Sequence, residues 1–353
     1  MLRKGNTRPF HWADKTMSVL RANQLEACEK DLAGLPSFSL FDNVCTDANI
    51  EELYDLSWYA VEDRSSGVAP KLHSTEELRV RVLSSFPAES ALLSPEEHEL
   101  MIRLILCSGQ LVLPDWNDLI PARSLIRRLW CRGEWNNGNL VLHMPHQLCA
   151  TALIMIAGDA HKAVRDIVDQ VLENTDNTLY LVGIMQASAP LMHLESLLKD
   201  TVSAGRKDLM ERLLRSVYDY VYGPDGRMLL IHPGLADPDR MMVQMSDMFR
   251  SAYYQEISSE TLNKASSSMM DLESPLYDRM LSSLIGAVRP ELTPEDAVED
   301  LIILAKQGVS LSDMKEVLSS MLVSIPTHEM LKSLECISGQ IPRWLLFSSS
   351  RVQ

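Results

Sequence analysis

Ala122 to Pro145 reads ARSLIRRLWCRGEWNNGNLVLHMP: a helical pattern, a tight polar turn and a short apolar run stopped by proline. The pattern returns 88 positions later, where Leu125, Ile126, Arg127, Leu129 and Trp130 fall on Leu213, Leu214, Arg215, Val217 and Tyr218. The same shift carries Gly138 to Gly226, Leu140-Val141-Leu142 to Met228-Leu229-Leu230, and Pro145 to Pro233. In the second copy Met210, Leu213, Leu214, Val217, Tyr218 and Val221 recur at three- and four-residue steps, which puts them on one helix face that must be buried. Asn136-Asn137-Gly138 and Gly223-Pro224-Asp225-Gly226 supply residues that tolerate positive φ or preset a turn, so the chain can reverse into a hairpin. The run that follows is strand-like, and proline ends its ladder because it has no N–H. The expectation is a mainly α protein: a multi-helical array with a few short β-hairpins and an internal helix–hairpin repeat of period 88. A helix followed by a small hairpin is the outline of a winged-helix unit, and equally of a helical domain with an ornamental hairpin.

Composition sets the surrounding limits. The 353 residues are 46% apolar and only 6% aromatic, with 15 glycines, which favours helices over sandwiches or barrels. A net charge of -15 sets the chain against general binding to nucleic acid or anionic membrane, since polyanions are repelled at long range. Cys28, Cys45, Cys107, Cys131, Cys149 and Cys336 are widely spaced with no C-x-x-C pair, so a reducing cytoplasm is expected. Met1 to Trp12 holds Arg3, Lys4 and Arg8 without an apolar core, so no secretory signal is expected. The longest nearly apolar run, Leu148 to Ala157, falls short of the roughly 18 residues that suggest a membrane span.

Along the chain, residues 1–70 read as an N-terminal arm with two helices, the second started by Asp47, closed by a Ser/Gly/Pro linker at 64–73. Residues 71–203 form the first helical and hairpin unit, with capping boxes at Ser74/Glu77 and Ser94/Glu97. A third hairpin-like element follows Ser108-Gly109. Helices are expected at 159–173 and 177–187. The second unit covers 204–290 and includes helices at 237–255 and 258–270. A C-terminal helical segment, 291–353, contains a helix–turn–helix-like pair from Ala297 to Leu322 around Gly308 and ends on apolar Trp344-Leu345-Leu346-Phe347. The outer face of Leu311–Leu322, with Lys315 against Asp313 and Glu316, is net acidic, which suits a helical hairpin better than a base reader.

Two constellations could carry chemistry. His143 and His146, with Asp159 and His161 one short helix later, offer imidazole and carboxylate ligands for a metal-dependent hydrolase. Their spacing matches neither H-E-x-x-H nor an adjacent His-Asp pair, and the second copy has Ile231 and Gly234 where the first has the two histidines. The bland reading is satisfied or surface histidines. Arg123, Arg127, Arg128 and Arg132, with Trp130 and Trp135, give a local excess of positive charge over Glu134 that could meet phosphates or a partner protein. The competing reading puts Trp130 in the core and the arginines on a solvated face, paired with acids.

No phosphate-binding glycine loop and no nucleophile elbow occurs. The function expected is therefore intracellular protein–protein interaction by an adaptor or scaffold, without cofactor or catalytic residues. Methionines such as Met241, Met242, Met245 and Met248 offer adaptable apolar surface, or core. The alternatives are a tandem winged-helix nucleic-acid binder and the metal-dependent hydrolase.

Overall fold

The computed structural model describes residues 12–36, 38–60, 74–198, 207–223, 226–242 and 273–344. They are mainly helical, with two three-stranded antiparallel sheets. Close contacts gather the chain into two units: Gln24–Leu172 with Pro190–Val217, and Met1–Asn23 with Glu173–Ala189 and Tyr218–Gln353.

The first of these holds the end of α1 (Met17–Ala33), then α2 (Ile50–Leu56), α3 (Thr75–Ala91) and α4 (Pro95–Leu106). After them come β1 (Gln110–Leu113), α5 (Leu119–Arg127), β2 (Arg132–Asn136), β3 (Asn139–His143), α6 (His146–Ile156) and the start of α7 (Asp159–Val182). The unit also takes in most of α8 (Ser188–Leu198) and all of α9 (Lys207–Val217). α4 opens on a complete capping box: Ser94 Oγ accepts from the Glu97 N–H, and the Glu97 carboxylate accepts from the Ser94 N–H. Asp47 does not cap the helix expected to begin there. It accepts instead from the N–H and hydroxyl of Thr75, both at 2.7 Å, and so pins the start of α3. Asn49 precedes α2 with no side-chain cap of its own.

The strand order is β1-β3-β2. The element at 110–113 is therefore not a third hairpin but the outer strand of the first one's sheet, with Val112 opposite Val141. Asn136 pairs with Asn139 across Asn137 (φ +50°) and Gly138 (φ +82°). Two successive left-handed residues make a type I′ turn, whose twist matches the strands it joins. Behind the sheet, Leu125, Trp130, Leu142 and Leu148 are fully buried in one core.

In the other unit β4 (Ile184–Gln186), β5 (Asp219–Tyr222) and β6 (Met228–Ile231) pair in the order β4-β6-β5. Helical residues 273–284 follow, then α10 (Pro294–Lys306), α11 (Leu311–Met321) and α12 (His328–Gln340). The two helices expected at 159–173 and 177–187 are one, α7, running on to Val182. The polar stretch at 174–177 does not break it, because the Thr178 hydroxyl bonds back to the Asn174 carbonyl and keeps the turn closed. The stop comes at Gly183, where φ is +75°, and the chain continues as strand β4. α10 and α11 form a helical hairpin: Gly308 (φ +74°) and Val309 return N–H bonds to Ala305 and Leu304, the pattern of a glycine C-cap. Leu301, Leu304, Met314, Leu318 and Leu334 fill the core there.

The repeat is visible in both sheets. Each sheet has its first strand against its last, with one α-helix (α5) between strand and hairpin in the first copy and two (α8 and α9) in the second. Gly138 and Gly226 both have positive φ, and Leu142 and Leu230 are both fully buried. The expected linker at 64–73, the helix at 258–270, Met245, Met248 and residues 345–347 lie outside the described residues. Among the described residues no helix is long and apolar enough to cross a membrane.

Candidate functional site: the arginine helix and its acids

α5 is short because Arg128 and Leu129 close it. The Leu129 N–H bonds to the Ile126 carbonyl and the Trp130 N–H to the Leu125 carbonyl, which forces Leu129 to φ +61°, a position that glycine normally fills. The reversal drives Trp130 into the core, edge-on to Phe86 at 4.6 Å between ring centroids. It also carries Arg128 inward.

Arg128 is 2% exposed, so it is not on the solvated face where the sequence pattern puts it. The cause is a set of buried acids. Arg128 Nη1 lies 3.4 Å from Glu89 and Nη2 3.4 Å from Glu97, and Arg212 of α9 binds the same Glu89 oxygen. The Tyr59 hydroxyl donates to the other oxygen of Glu89 at 3.2 Å, and the Arg212 guanidinium stands over the Tyr59 ring. Burial alone would raise the Glu89 pKa, but Arg212 and Arg128 outweigh it and hold the carboxyl below its ordinary value. Tyr59 moves the other way: burial, then the Glu89 charge, push its hydroxyl far up. Four helices thus meet on one shared network of charges, in which each buried charge has an opposite partner.

The remaining members of the cluster also turn to intramolecular partners. Arg123 pairs with Asp31 at 2.9 Å. Arg127 donates from Nε to the Leu56 carbonyl and lies 4.9 Å from the centre of the Trp58 ring. Arg132 sits 3.5 Å from Glu134 and 3.8 Å from Asp42. Trp135 packs half-buried against the core. A cleft beside α5, walled by Leu35, Phe38 and Leu53 with Arg127 and Arg132 at its rim, has a volume of about 20 Å³, room for about one water.

The four metal-ligand candidates are not brought together. His143 lies 3.6 Å from Glu134, and burial, then Arg132, lower its pKa. His146 and Asp159 are exposed at the starts of α6 and α7. His161 is buried and faces His98 of α4 at 3.3 Å. Among the described residues no group of three or more His, Cys, Asp or Glu is arranged to hold a metal ion.

A second charged centre lies in the other unit. Lys306 Nζ bonds Glu273 at 2.6 Å and stands 4.0 Å from the centre of the Tyr180 ring, while the Tyr180 hydroxyl donates to the other Glu273 oxygen. Burial lowers the Lys306 pKa and the Glu273 charge opposes that shift. Trp344 donates from Nε1 to the Tyr180 carbonyl and packs against His232, tying the last described residue to α7 and to the residue that follows β6.

Glu89, His98 and Glu273 were not singled out from sequence, and Glu97 was read only as a helix cap. Glu89 carried a signal: it continues the three- and four-residue stripe of Leu78, Val82 and Phe86, and a carboxylate inside an apolar stripe demands a cation. No protein-family model, no curated protein and no solved structure matches the chain.

Proposed function

We propose that the chain is a protein-interaction module, an adaptor or scaffold without catalytic activity of its own, working inside the cell. One observation carries the reading. α6 leaves Leu153 60% and Ile154 77% exposed, with Ala150 and Ala157 exposed on the same helical stripe. Between Gln147 and Gly158 there is no Asp, Glu, Lys or Arg. Such a face gains nothing from water and is suited to the apolar centre of an interface, with Leu153 and Ile154 as its anchors. The test is affinity capture from the native host with and without nuclease, using the unaltered chain and Leu153→Asp with Ile154→Asp. A discrete, stoichiometric, nuclease-resistant partner lost in the double variant supports the proposal. Equal capture by both chains removes α6 from it.

A second reading is favoured by the two three-stranded sheets, each ending in a hairpin that follows a helix and each with its first strand beside its last: tandem winged-helix units that bind nucleic acid. Against it stand the internal partners of Arg123, Arg127, Arg128 and Arg132 and the net charge of -15. Arg123 and Arg132 are partly exposed, so the discriminating variants are Arg123→Glu and Arg132→Glu. Salt-dependent binding to single- or double-stranded DNA or RNA that those changes abolish would establish this second reading.

A further inference from the structure

His98 and His161 join α4 to the first turns of α7 through one contact, Nε2 to Nε2 at 3.3 Å. Their ring centroids are 5.5 Å apart, with planes 27° from parallel. That separation is close to the nitrogen–nitrogen distance plus the two ring radii. The nitrogens therefore point at each other edge to edge, and the ring faces do not overlap. In this arrangement one Nε2 must donate a proton and the other must accept it. One added proton gives a single charge, which the pair accommodates by the neutral ring moving its own proton to Nδ1 and accepting; a second proton leaves two N–H groups and two charges facing each other.

The surroundings offer that second charge no relief. On α7, Arg165 is buried beside both rings, fixed through Nη1 to the carbonyls of Ala91 and Leu93 and through Nη2 to Asp169. On α4, Glu97 is held by the Ser94 N–H and Arg128, and Glu96 is exposed. The segment linking α3 to α4 gives only the carbonyls that hold Arg165. His161 Nδ1 is itself buried with no hydrogen-bond partner, so a protonated His161 also buries an unsatisfied donor. A cation bridging the two rings is disfavoured by the same Arg165 and by the lack of a third ligand among the described residues.

We propose that the His98–His161 contact is a proton-operated latch between α4 and α7, closed while one imidazole accepts from the other and opened when both are protonated. Burial, then Arg165 and His161, lower the His98 pKa to about 4, and burial followed by Arg165 lowers that of His161. The released histidines, near 6.5, bind protons before the latched ones do. Opening is therefore favoured progressively as pH falls from about 6.5 towards 4, and the latch is indifferent to pH above about 7.

Amide hydrogen exchange on the full chain, corrected for intrinsic rate, tests this between pH 7 and 4.5. The unaltered protein is expected to lose about tenfold or more protection in 95–106 and 159–168 as pH falls, while 294–321 keeps its protection. His98→Gln, whose amide donates to His161 but takes up no proton, is expected to hold protection across that range. Undiminished protection of the joint at pH 4.5, simultaneous loss in 294–321, or opening of His98→Gln at the same pH would each overturn the latch. If His98→Gln does not fold, NMR titration of the two imidazoles decides: coupled titration well below 6 supports the latch, and two independent titrations near 6.5 overturn it.

Discussion

At the scale of single residues, Leu129 shows how much local strain a buried contact sustains. A leucine with φ near +61° occupies a conformation that costs about 1 kcal/mol or more relative to glycine. Its side chain is nevertheless buried in the core, where removal typically costs about 2–5 kcal/mol. Leu129→Ala should therefore destabilise by roughly 3 kcal/mol, and Leu129→Gly by about 1 kcal/mol less, the reverse of the usual order, as read by urea unfolding. Glu89 sets a different balance. Glu89→Gln leaves Arg128 and Arg212 without their shared charge and should cost about 3–5 kcal/mol. Because the folded Glu89 has a lowered pKa, its contribution is present above the unfolded carboxyl value and is lost as pH falls through the lower folded one. Unfolding free energies measured from pH 7 to pH 3 should accordingly decline for the unaltered protein and decline less for Glu89→Gln.

At the scale of elements, close packing places the boundaries that propensity left open. Gly183 ends α7, and a Cβ added there would lie 2.6 Å from the Trp344 ring in addition to requiring positive φ. Gly183→Ala should lower stability by about 2 kcal/mol or more, with a loss of Trp344 fluorescence anisotropy that Gly226→Ala, where a Cβ meets nothing, does not reproduce. The capping box at Ser94/Glu97, the Ser74 cap, the type I′ turn at Asn137-Gly138 and the glycine stop at Gly308 were legible in the sequence, because each is set by residues within a few positions. Three things were not. Asp47 binding Thr75 across 28 positions and β1 joining the sheet of β3 depend on long-range contacts, while the fusion of two expected helices into α7 rests on the bond from Thr178 to Asn174, which the polar composition of 174–177 does not announce. The arginines of α5 were recognised as a cluster, but their direction was not, since the acids that turn Arg128 inward lie on α3 and α4.

At the scale of the whole molecule, the repeat was readable because both copies keep their turn glycine and buried strand residues, whereas function was not, because neither a phosphate-binding glycine loop nor a nucleophile elbow occurs in the sequence. A chain of net charge -15 whose central arginines are internally paired should bind polyanions weakly, and any residual binding should vanish by physiological salt. On the proposed reading, α5 is an internal strut and α6 the outward contact. The most direct measurement is quantitative affinity capture from the native host, with nuclease, comparing the unaltered chain, Leu153→Asp with Ile154→Asp, and Arg123→Glu with Arg132→Glu. A stoichiometric partner that the arginine variant retains and the α6 variant loses is expected. Capture abolished by nuclease or by the arginine changes, and untouched by those in α6, would contradict it.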